Sequence, residues 1–449
     1  MSEINKNDNI IEVKDIKKWF PIRRSFSEIF KGKQRYIKAV DGVTFSIHRG
    51  EIFGLIGESG CGKSVTVRSI MRIVQSPGKI TGGKILLHFS DSHRENAVDI
   101  LKRSESFMQS IRGNDISMIF QEASTSLNPV FSIGEQIGES FFFHRLPEML
   151  EKAIARLDEE IPKVHFLKRG FKKMSRSLFS KELAARVRYD NAVRELDDRL
   201  YEIAERTDSK SVNEVRALAK SRRSMKKTTP VVTFAKHFPF IRRYKYLLDQ
   251  IVEENVIALL KDLGVPNPDN IVKRYPHELS GGMQQRIVIA IALACHPRLL
   301  IADEPTSNLD VTIQAQILEL IRELKKTKIS SVLFITHDLG VVAEICDRVS
   351  VMYAGDVCET AAVKDIFHEP LHPYTKGLLN SVPKVDQKGE LNTIPGTVPN
   401  LIDPPSGCRF HPRCPHVMDI CSHTKPPYIE QKPGHFVACY LYGSKDSHS

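Results

Sequence analysis

Short apolar runs along the chain predict buried strands at three places. Ile52–Ile56, Leu299–Asp303 and Val332–Ile335 are apolar throughout, apart from the aspartate that closes the second run. Continuous apolar runs of this length are typical of strands buried on both faces of a parallel sheet. A helix over Val65–Ile73 is predicted shortly after the first run. The pattern therefore predicts an α/β core with a mainly parallel sheet.

A glycine-rich segment joins the first strand to this helix. GESGCGKS at 57–64 fits G-x-x-x-x-G-K-S, in which backbone N–H groups surround phosphate oxygens at a helix N-terminus. Lys63 should reach the β- and γ-phosphates, and Ser64 should ligate Mg²⁺. A glycine-rich turn without nucleotide is the alternative, and the complete eight-residue match argues against it. The predicted ATP-contacting residues of this segment are Gly57, Glu58, Ser59, Gly60, Cys61, Gly62, Lys63, Ser64 and Val65.

Two acidic residues close the second strand. Asp303 falls at its C-terminal end, where it can hold Mg²⁺ through water. Glu304 follows, and a carboxylate beside the metal can orient or deprotonate the water that attacks the γ-phosphate. A solvated acidic pair after a strand is the alternative. Together with the phosphate loop, the pair predicts ATP hydrolysis.

With LSGGM at 279–283, the order of these segments resembles the nucleotide-binding subunits of ABC transporters over residues 11 to about 140 and 250 to 440. The resemblance implies an ABC-type ATPase with an antiparallel edge sheet and a helical subdomain carrying the signature. In that family the signature closes over ATP held by the opposite subunit. Here the implied nucleotide contacts are Ser280, Gly281, Gly282 and Gln284, with Met283 where Gln is commoner.

The same resemblance assigns four further roles. Gln121 matches the Q-loop, which ligates the metal and contacts the membrane subunit, and His337 matches the switch histidine. With Glu304 these two are the implied catalytic residues. Asp310 matches the D-loop, although Asn308 stands where Ala is commonest. Phe20 matches the aromatic that stacks on adenine, with Trp19 and Tyr36 as neighbours that could compete for that role.

Composition and charge bear on location and partners. No stretch approaches the roughly 20 apolar residues that span a bilayer, and the N-terminus lacks an apolar signal core. We therefore expect a protein at the cytoplasmic face of the membrane, bound to other chains that supply the spanning helices. Between His144 and Gln250, 26 basic residues stand against 15 acidic ones, which accounts for the whole net charge of +11. A pair of charged helices with a solvated outer face is the favoured interpretation of this stretch. Contact with anionic lipid headgroups is the main alternative, ahead of nucleic acid.

Helix-forming composition in the same stretch predicts charged helices. Its placement between the Q-loop and the signature implies an insertion in the helical subdomain that is dispensable for the chemistry. The predicted domains are an ATPase core with phosphate loop and Q-loop over 1–144, a basic helical insertion over 145–247, the signature helix and remaining core over 248–368, and a C-terminal extension over 369–449.

The C-terminal extension is rich in proline and cysteine. Twelve of the 24 prolines lie between Pro370 and Pro433, too many for continuous helix or a central strand. Four thiols on such a loop-like segment suit a soft metal centre, either iron–sulfur or zinc, with a metal-free fold as the alternative. HPYTKGLLNSVP at 372–383 and GCRFHPRCPHVMDIC at 407–421 resemble the extension of oligopeptide and dipeptide permease ATPases, in which the cysteines hold a [4Fe–4S] cluster. The implied ligands are Cys408, Cys414, Cys421 and Cys439.

These features together predict the ATPase subunit of an ABC importer of oligopeptides. The implied partners are a second ABC ATPase subunit in a heterodimer, two transmembrane permease subunits and an extracytoplasmic peptide-binding protein. A dipeptide or nickel importer is the alternative within the family. A soluble, nucleic-acid-associated ABC ATPase is a second alternative, because the insertion is basic.

Overall fold

The structure is a computed structural model, and it divides into two compact units. One comprises residues 1–101, 118–121 and 298–449, and the other residues 102–117 and 122–297. The residues described are 9–22, 34–73, 75–89, 97–205, 218, 228, 230, 232–233, 244–307, 309–327, 331–381 and 394–443. Within these ranges no helix is long and apolar enough to cross a membrane.

The described strands form two sheets. In chain order they are β1 Asn9–Pro21, β2 Tyr36–His48, β3 Ile52–Ile56, β4 Lys79–Leu87, β5 Val98–Asp99, β6 Ile116–Ile119, β7 Leu299–Asp303, β8 Ser331–Ile335, β9 Arg348–Tyr353, β10 Asp356–Ala362, β11 Ile429–Lys432 and β12 His435–Val437. A four-stranded sheet has the order β2-β1-β4-β5, and its neighbouring strands pair antiparallel. An eight-stranded sheet has the order β11-β12-β10-β9-β3-β8-β7-β6.

Parallel pairing defines the centre of the larger sheet. β3 pairs in parallel with β8 and β9, and β7 pairs in parallel with β8. Every residue of β3, β7 and β8 is buried, as continuous apolar runs require. The predicted α/β class and the separate antiparallel sheet are therefore confirmed. The larger sheet is mixed rather than mainly parallel, because β9, β10, β12 and β11 pair antiparallel at one side of its parallel centre. The strand predicted to start at Val332 starts one residue earlier, at Ser331.

The helices described are α1 Lys63–Ile70, α2 Glu105–Ile111, α3 Ala123–Ser126, α4 Ile133–His144, α5 Leu146–Glu160, α6 Phe166–Glu205, α7 Lys245–Asp262, α8 Pro268–Ile271, α9 Gly281–Leu293, α10 Val311–Thr327, α11 Leu339–Ile345, α12 Val363–His368, α13 Pro373–Asn380 and α14 Asp419–His423. A helix follows the phosphate loop as predicted, but both predicted ends, Val65 and Ile73, were wrong. It starts at Lys63 and ends at Ile70, because Arg72 has a φ of +50°, outside the right-handed helical region.

The charged segment after α4 makes buried contacts within the helical unit, and its being dispensable for the chemistry stays a prediction. Phe179 on α6 is fully buried against Tyr244, with ring centroids 5.1 Å apart. Arg103, before α2, donates to the main-chain oxygen of Asp197 at 3.1 Å, and the Asp197 carboxylate accepts from Ser104 at 2.7 Å. Composition alone predicted the helices, but it did not reveal these buried contacts. The basic run 209–230 lies almost entirely outside the described residues, and the predicted boundary at 248 falls inside α7.

The C-terminal extension contains more regular structure than its prolines suggested. Pro373 stands in the first turn of α13, where a missing N–H costs nothing, and His372 caps that helix by accepting from the N–H of Tyr374 at 3.0 Å. β12 pairs with β10 and so adds the extension to the main sheet. Pro433 and Gly434 form the link between β11 and β12, and β11 is the edge strand.

Candidate nucleotide site

The phosphate loop connects β3 to α1 and depends on its glycines. Gly57, Gly60 and Gly62 have φ values of +149°, +78° and +105°, which side-chain-bearing residues rarely adopt. A Cβ on Gly57 would lie 2.2 Å from the carbonyl oxygen of Met352, and one on Gly62 would lie 2.4 Å from that of Ala39. Two neighbouring strands therefore leave no room for a side chain at positions 57 and 62 of the loop.

Lys63 lies inside the curve of the loop. Its side chain is almost fully buried, and its ammonium donates to the carbonyl oxygens of Gly57 at 2.7 Å and Glu58 at 3.1 Å. Main-chain carbonyls carry only partial charge, so the anionic oxygens of a phosphate would be stronger partners for this ammonium. The geometry suits a cation that turns from the loop onto a bound polyphosphate.

Ser64 and Asp303 form the candidate magnesium site. The hydroxyl of Ser64, in the first turn of α1, donates to Oδ1 of Asp303 at 3.0 Å. Asp303 is 1% exposed, and its Oδ2 has no hydrogen-bond partner among the described residues. Burial raises the pKa of Asp303, and the bond from Ser64 partly opposes this effect. A buried carboxylate oxygen without a partner is costly, and a hard cation that prefers oxygen ligands would satisfy it.

Three predicted catalytic residues converge after three strands of the sheet. Glu304 has a φ of +49°, and its N–H donates to Ile335 at 2.9 Å, which fixes the direction of its side chain. Its carboxylate accepts from Nε2 of Gln121 at 3.1 Å and lies 3.2 Å from Nδ1 of His337. These residues follow β7, β6 and β8. The carboxylate thus has one neutral and one titratable partner, an arrangement that can hold a water molecule for proton abstraction.

Asp310 lies next to the first turn of α10. Its carboxylate accepts from the N–H of Ile313 at 2.9 Å, so it caps the helix. Asn308, the departure from the family pattern, lies outside the described residues. Among the loop residues, Ser59 and Gly60 are exposed, Cys61 is buried and Val65 is half-buried in α1. Burial raises the pKa of the Cys61 thiol.

The signature residues open α9 in the helical unit. Ser280 is the N-cap, and Gly281 and Gly282 form the first turn, so the predicted helix after the signature is confirmed. The side chain of Gln284 donates to the carbonyl oxygens of Pro276 at 2.9 Å and Leu279 at 3.2 Å. Gln284 therefore fixes the turn that precedes the helix.

The aromatic residues near the end of β1 have different environments. Phe20 packs so closely on Gly78 that a Cβ there would lie 2.5 Å from its ring. Trp19 donates from its indole nitrogen to Asp41 at 3.2 Å, and Tyr36 lies beside it with ring centroids 5.9 Å apart. The hydrogen bond fixes the Trp19 indole within its own sheet. Trp19 is therefore a weaker candidate than Phe20 for stacking on a base.

Sequence reasoning missed residues of the C-terminal extension that contact the phosphate loop. The hydroxyl of Tyr374 accepts from the N–H of Glu58 at 3.0 Å. The guanidinium of Arg413 donates to both carboxylate oxygens of Glu58, at 3.0 and 3.3 Å. Both residues belong to segments that were used only as marks of a resemblance, HPYT and CRFHPRC. Because more than 300 residues separate Glu58 from each of them, no local sequence pattern indicated the contact.

The four C-terminal cysteines line a single pocket together with His411 and His416. Burial raises the pKa of Cys408 to about 12 and that of Cys439 to about 11, and neighbouring cysteines of the set add to both shifts. Thiols in this environment stay protonated near neutral pH unless a cation replaces the proton. Over the described ranges, however, no three His, Cys, Asp or Glu side chains are arranged to hold a metal ion. The donor types suit a soft metal, whereas their arrangement here does not converge on one centre.

Comparison with known proteins agrees with this geometry. Residues 40–307 match the family model described as ABC transporter, and residues 358–421 match that described as oligopeptide/dipeptide transporter, C-terminal region. The dipeptide transport ATP-binding protein DppD of Bacillus subtilis is 38% identical over 415 residues, which cover 92% of each chain. The oligopeptide transport ATP-binding protein AppD of the same organism is 39% identical over 435 residues, which cover 96% of this chain and 97% of that protein.

Proposed function

The chain belongs to the ABC transporter family of ATP-binding proteins, and from this premise we propose that it hydrolyses ATP to power import of oligopeptides. The observation that carries the proposal is the convergence of Gln121, Glu304 and His337 beside the Ser64–Asp303 pair. The C-terminal match and the names of the two relatives support peptides as the cargo.

The proposed chemistry follows from the positions of the side chains. Lys63 and the N–H groups of the loop bind the phosphates and offset their charge. Mg²⁺, held by Ser64 and Asp303, would neutralise charge on the β- and γ-phosphate oxygens. Glu304 accepts a proton from the attacking water, while Gln121 and His337 hold its carboxylate in place. Hydrolysis transfers the γ-phosphoryl group to water and leaves ADP and phosphate.

The proposed assembly contains a second ABC ATPase subunit, two transmembrane permease subunits and an extracytoplasmic peptide-binding protein. One chain carries one phosphate loop and one signature, and in this family the two work in different composite sites. A heterodimer is therefore our preferred arrangement, at the cytoplasmic face of the membrane. A dipeptide importer is the leading alternative, because DppD is as similar to this chain as AppD is.

We also propose that the cysteine pocket takes a [4Fe–4S] cluster, with zinc as the alternative. The support is the presence of four thiols around one pocket. Binding requires the four side chains to turn toward a common centre. Iron, sulfide and zinc analysis of anaerobically purified protein separates the two metals, and protein free of both would contradict the proposal.

Residues 145–247 are proposed to contact anionic lipid headgroups. The described part of this segment presents Lys173, Lys181 and Arg188 around one open pocket on α6, together with Arg176, which pairs with Asp158. Basic side chains near an anionic surface contribute about 1 kcal/mol each. Binding to anionic and neutral vesicles tests this, and preferential salt-dependent binding to RNA would instead favour the nucleic-acid alternative.

Replacing Glu304 with Gln in the assembled complex tests the ATPase proposal. The amide keeps the size and the hydrogen bonds but cannot accept a proton, so we expect turnover to fall by roughly 10² or more while ATP binding persists. The matched control is Glu369→Gln, which removes a charge from a surface ion pair with Lys432. Equal turnover in the Glu304→Gln complex, with the partner's site also disabled, would contradict the assignment.

A further inference from the structure

The C-terminal extension holds the phosphate loop from outside. Glu58, the second residue of the loop, receives two bonds from the guanidinium of Arg413, and its N–H is bound by the hydroxyl of Tyr374. Side chain and backbone of one loop residue are therefore both tied to residues that lie more than 300 positions later in the chain.

The pair between Arg413 and Glu58 is sheltered from solvent. The side chain of Arg413 is 7% exposed and that of Glu58 is 26% exposed. The guanidinium also donates to the carbonyl oxygens of Pro395 at 2.8 Å and Ile394 at 3.3 Å, and to the hydroxyl of Tyr353 at 3.2 Å. Because Arg413 is fixed by these other partners, its two hydrogen bonds to Glu58 fix the position of the carboxylate as well as balancing its charge.

Tyr374 is equally constrained. It is fully buried, and its ring packs on Tyr353 and Phe410, with centroid distances of 4.6 and 5.4 Å. A buried hydroxyl on a packed ring is a rigid acceptor. The N–H of Gly355 also donates to the carbonyl oxygen of Cys61 at 2.8 Å, so the loop backbone is held at a second point.

From these contacts we infer that Arg413 and Tyr374 are positioning residues that set the shape of the phosphate loop before ATP binds. The inference rests on the proposed ATPase function. Lys63 and the loop N–H groups bind phosphate well only when the loop already has the curved conformation. A loop without its outer anchors must be ordered during binding, which weakens the affinity for ATP and has little effect on the reaction of bound ATP.

A double-mutant cycle in the full transporter tests the inference. The variants are Glu58→Gln, Arg413→Met and the double substitution. The Kd of each is measured with a fluorescent ATP analogue in complexes that also carry Glu304→Gln. KM and kcat are measured in complexes that retain Glu304. We expect each single variant to raise the Kd and KM for ATP by about tenfold and to change kcat by less than about twofold. The Kd of the double variant should be no higher than that of the single variant with the higher Kd, because both substitutions remove the same pair. Arg413→Lys, which keeps one charged bond, should recover part of the affinity.

Lys432→Met is the control, because it removes an exposed ion pair of the same extension, between Lys432 and Glu369. Should Arg413→Met fail to fold, Tyr374→Phe removes only the hydroxyl and should raise the Kd about threefold. Unchanged Kd in folded Arg413→Met and Tyr374→Phe proteins would overturn the inference while leaving the ATPase assignment intact. A parent complex that bound no ATP would overturn both.

Discussion

Two glycines of the phosphate loop provide a matched pair of substitutions, Gly60→Ala and Gly62→Ala. Both have positive φ values, +78° and +105°, so alanine is strained at either position. They differ in their surroundings. A Cβ on Gly60 meets nothing within 4 Å, whereas one on Gly62 lies 2.4 Å from the carbonyl oxygen of Ala39.

The expected costs follow from this difference. Gly60→Ala should lower the free energy of unfolding by about 1–2 kcal/mol, the usual cost of a left-handed non-glycine residue. Gly62→Ala adds an overlap with main-chain atoms of β2, a strand fixed on both sides of Ala39 by pairing with β1. The loop or the strand must therefore move, and we expect a total loss of about 4 kcal/mol or more.

Urea unfolding of the nucleotide-free chain, followed by a probe of the ATPase core, measures both effects. We expect the midpoint of Gly62→Ala to fall at least twice as far below the parent as that of Gly60→Ala. ATP affinity gives a second reading, because a displaced loop no longer presents its N–H groups together. Equal midpoints for the two variants would refute the argument that the Ala39 carbonyl excludes a side chain at position 62.

Three further predictions concern other parts of the molecule. Phe179→Ala, which empties a fully buried site in α6, should destabilise the helical unit by about 3–5 kcal/mol in denaturant unfolding, and a loss under 1 kcal/mol would show that the packing of this segment contributes little to stability. Burial lowers the pKa of His144 below its ordinary 6.5, so the unfolded chain takes up a proton first and stability should fall as pH drops below about 6.5. His144→Gln should flatten that slope, which is at most about 1.4 kcal/mol per pH unit, and an unchanged slope would contradict the assignment. Cys414→Ser should abolish any iron or zinc content of the purified protein, and retention of stoichiometric metal would exclude Cys414 as a ligand.

The elements with continuous apolar runs were predictable from the sequence. β3 and β7 have the predicted bounds, whereas β8 starts one residue before its apolar run, because the polar Ser331 is also buried in the strand. The end of α1 was not predictable, because nothing in the local composition marks the positive φ of Arg72. The strands of the C-terminal extension were missed because proline counts report on averages, and β12 pairs through a short segment that contains none.

The residues that carry out the chemistry of the candidate site were easier to predict from the sequence than the residues that hold the site in place. Lys63 and Ser64 lie in one short motif, and Asp303 and Glu304 lie in another, and each motif is recognisable from its own residues. Contacts made by Arg413 and Tyr374 depend on how the extension folds back onto the core, and no local pattern encodes that path. Net charge gave an incomplete description of the insertion, because a net positive stretch can still bury residues such as Phe179 and Asp197.

Peptide uptake by the reconstituted transporter tests the central claim most directly. The complete complex would be placed in proteoliposomes with ATP on the side of this chain and labelled peptides, with the peptide-binding protein, on the other. We predict accumulation of oligopeptides that requires ATP and falls by roughly 10² in the complex carrying Glu304→Gln with the partner's site disabled. ATP hydrolysis without accumulation of any peptide, or accumulation that persists in the disabled complex, would contradict the account.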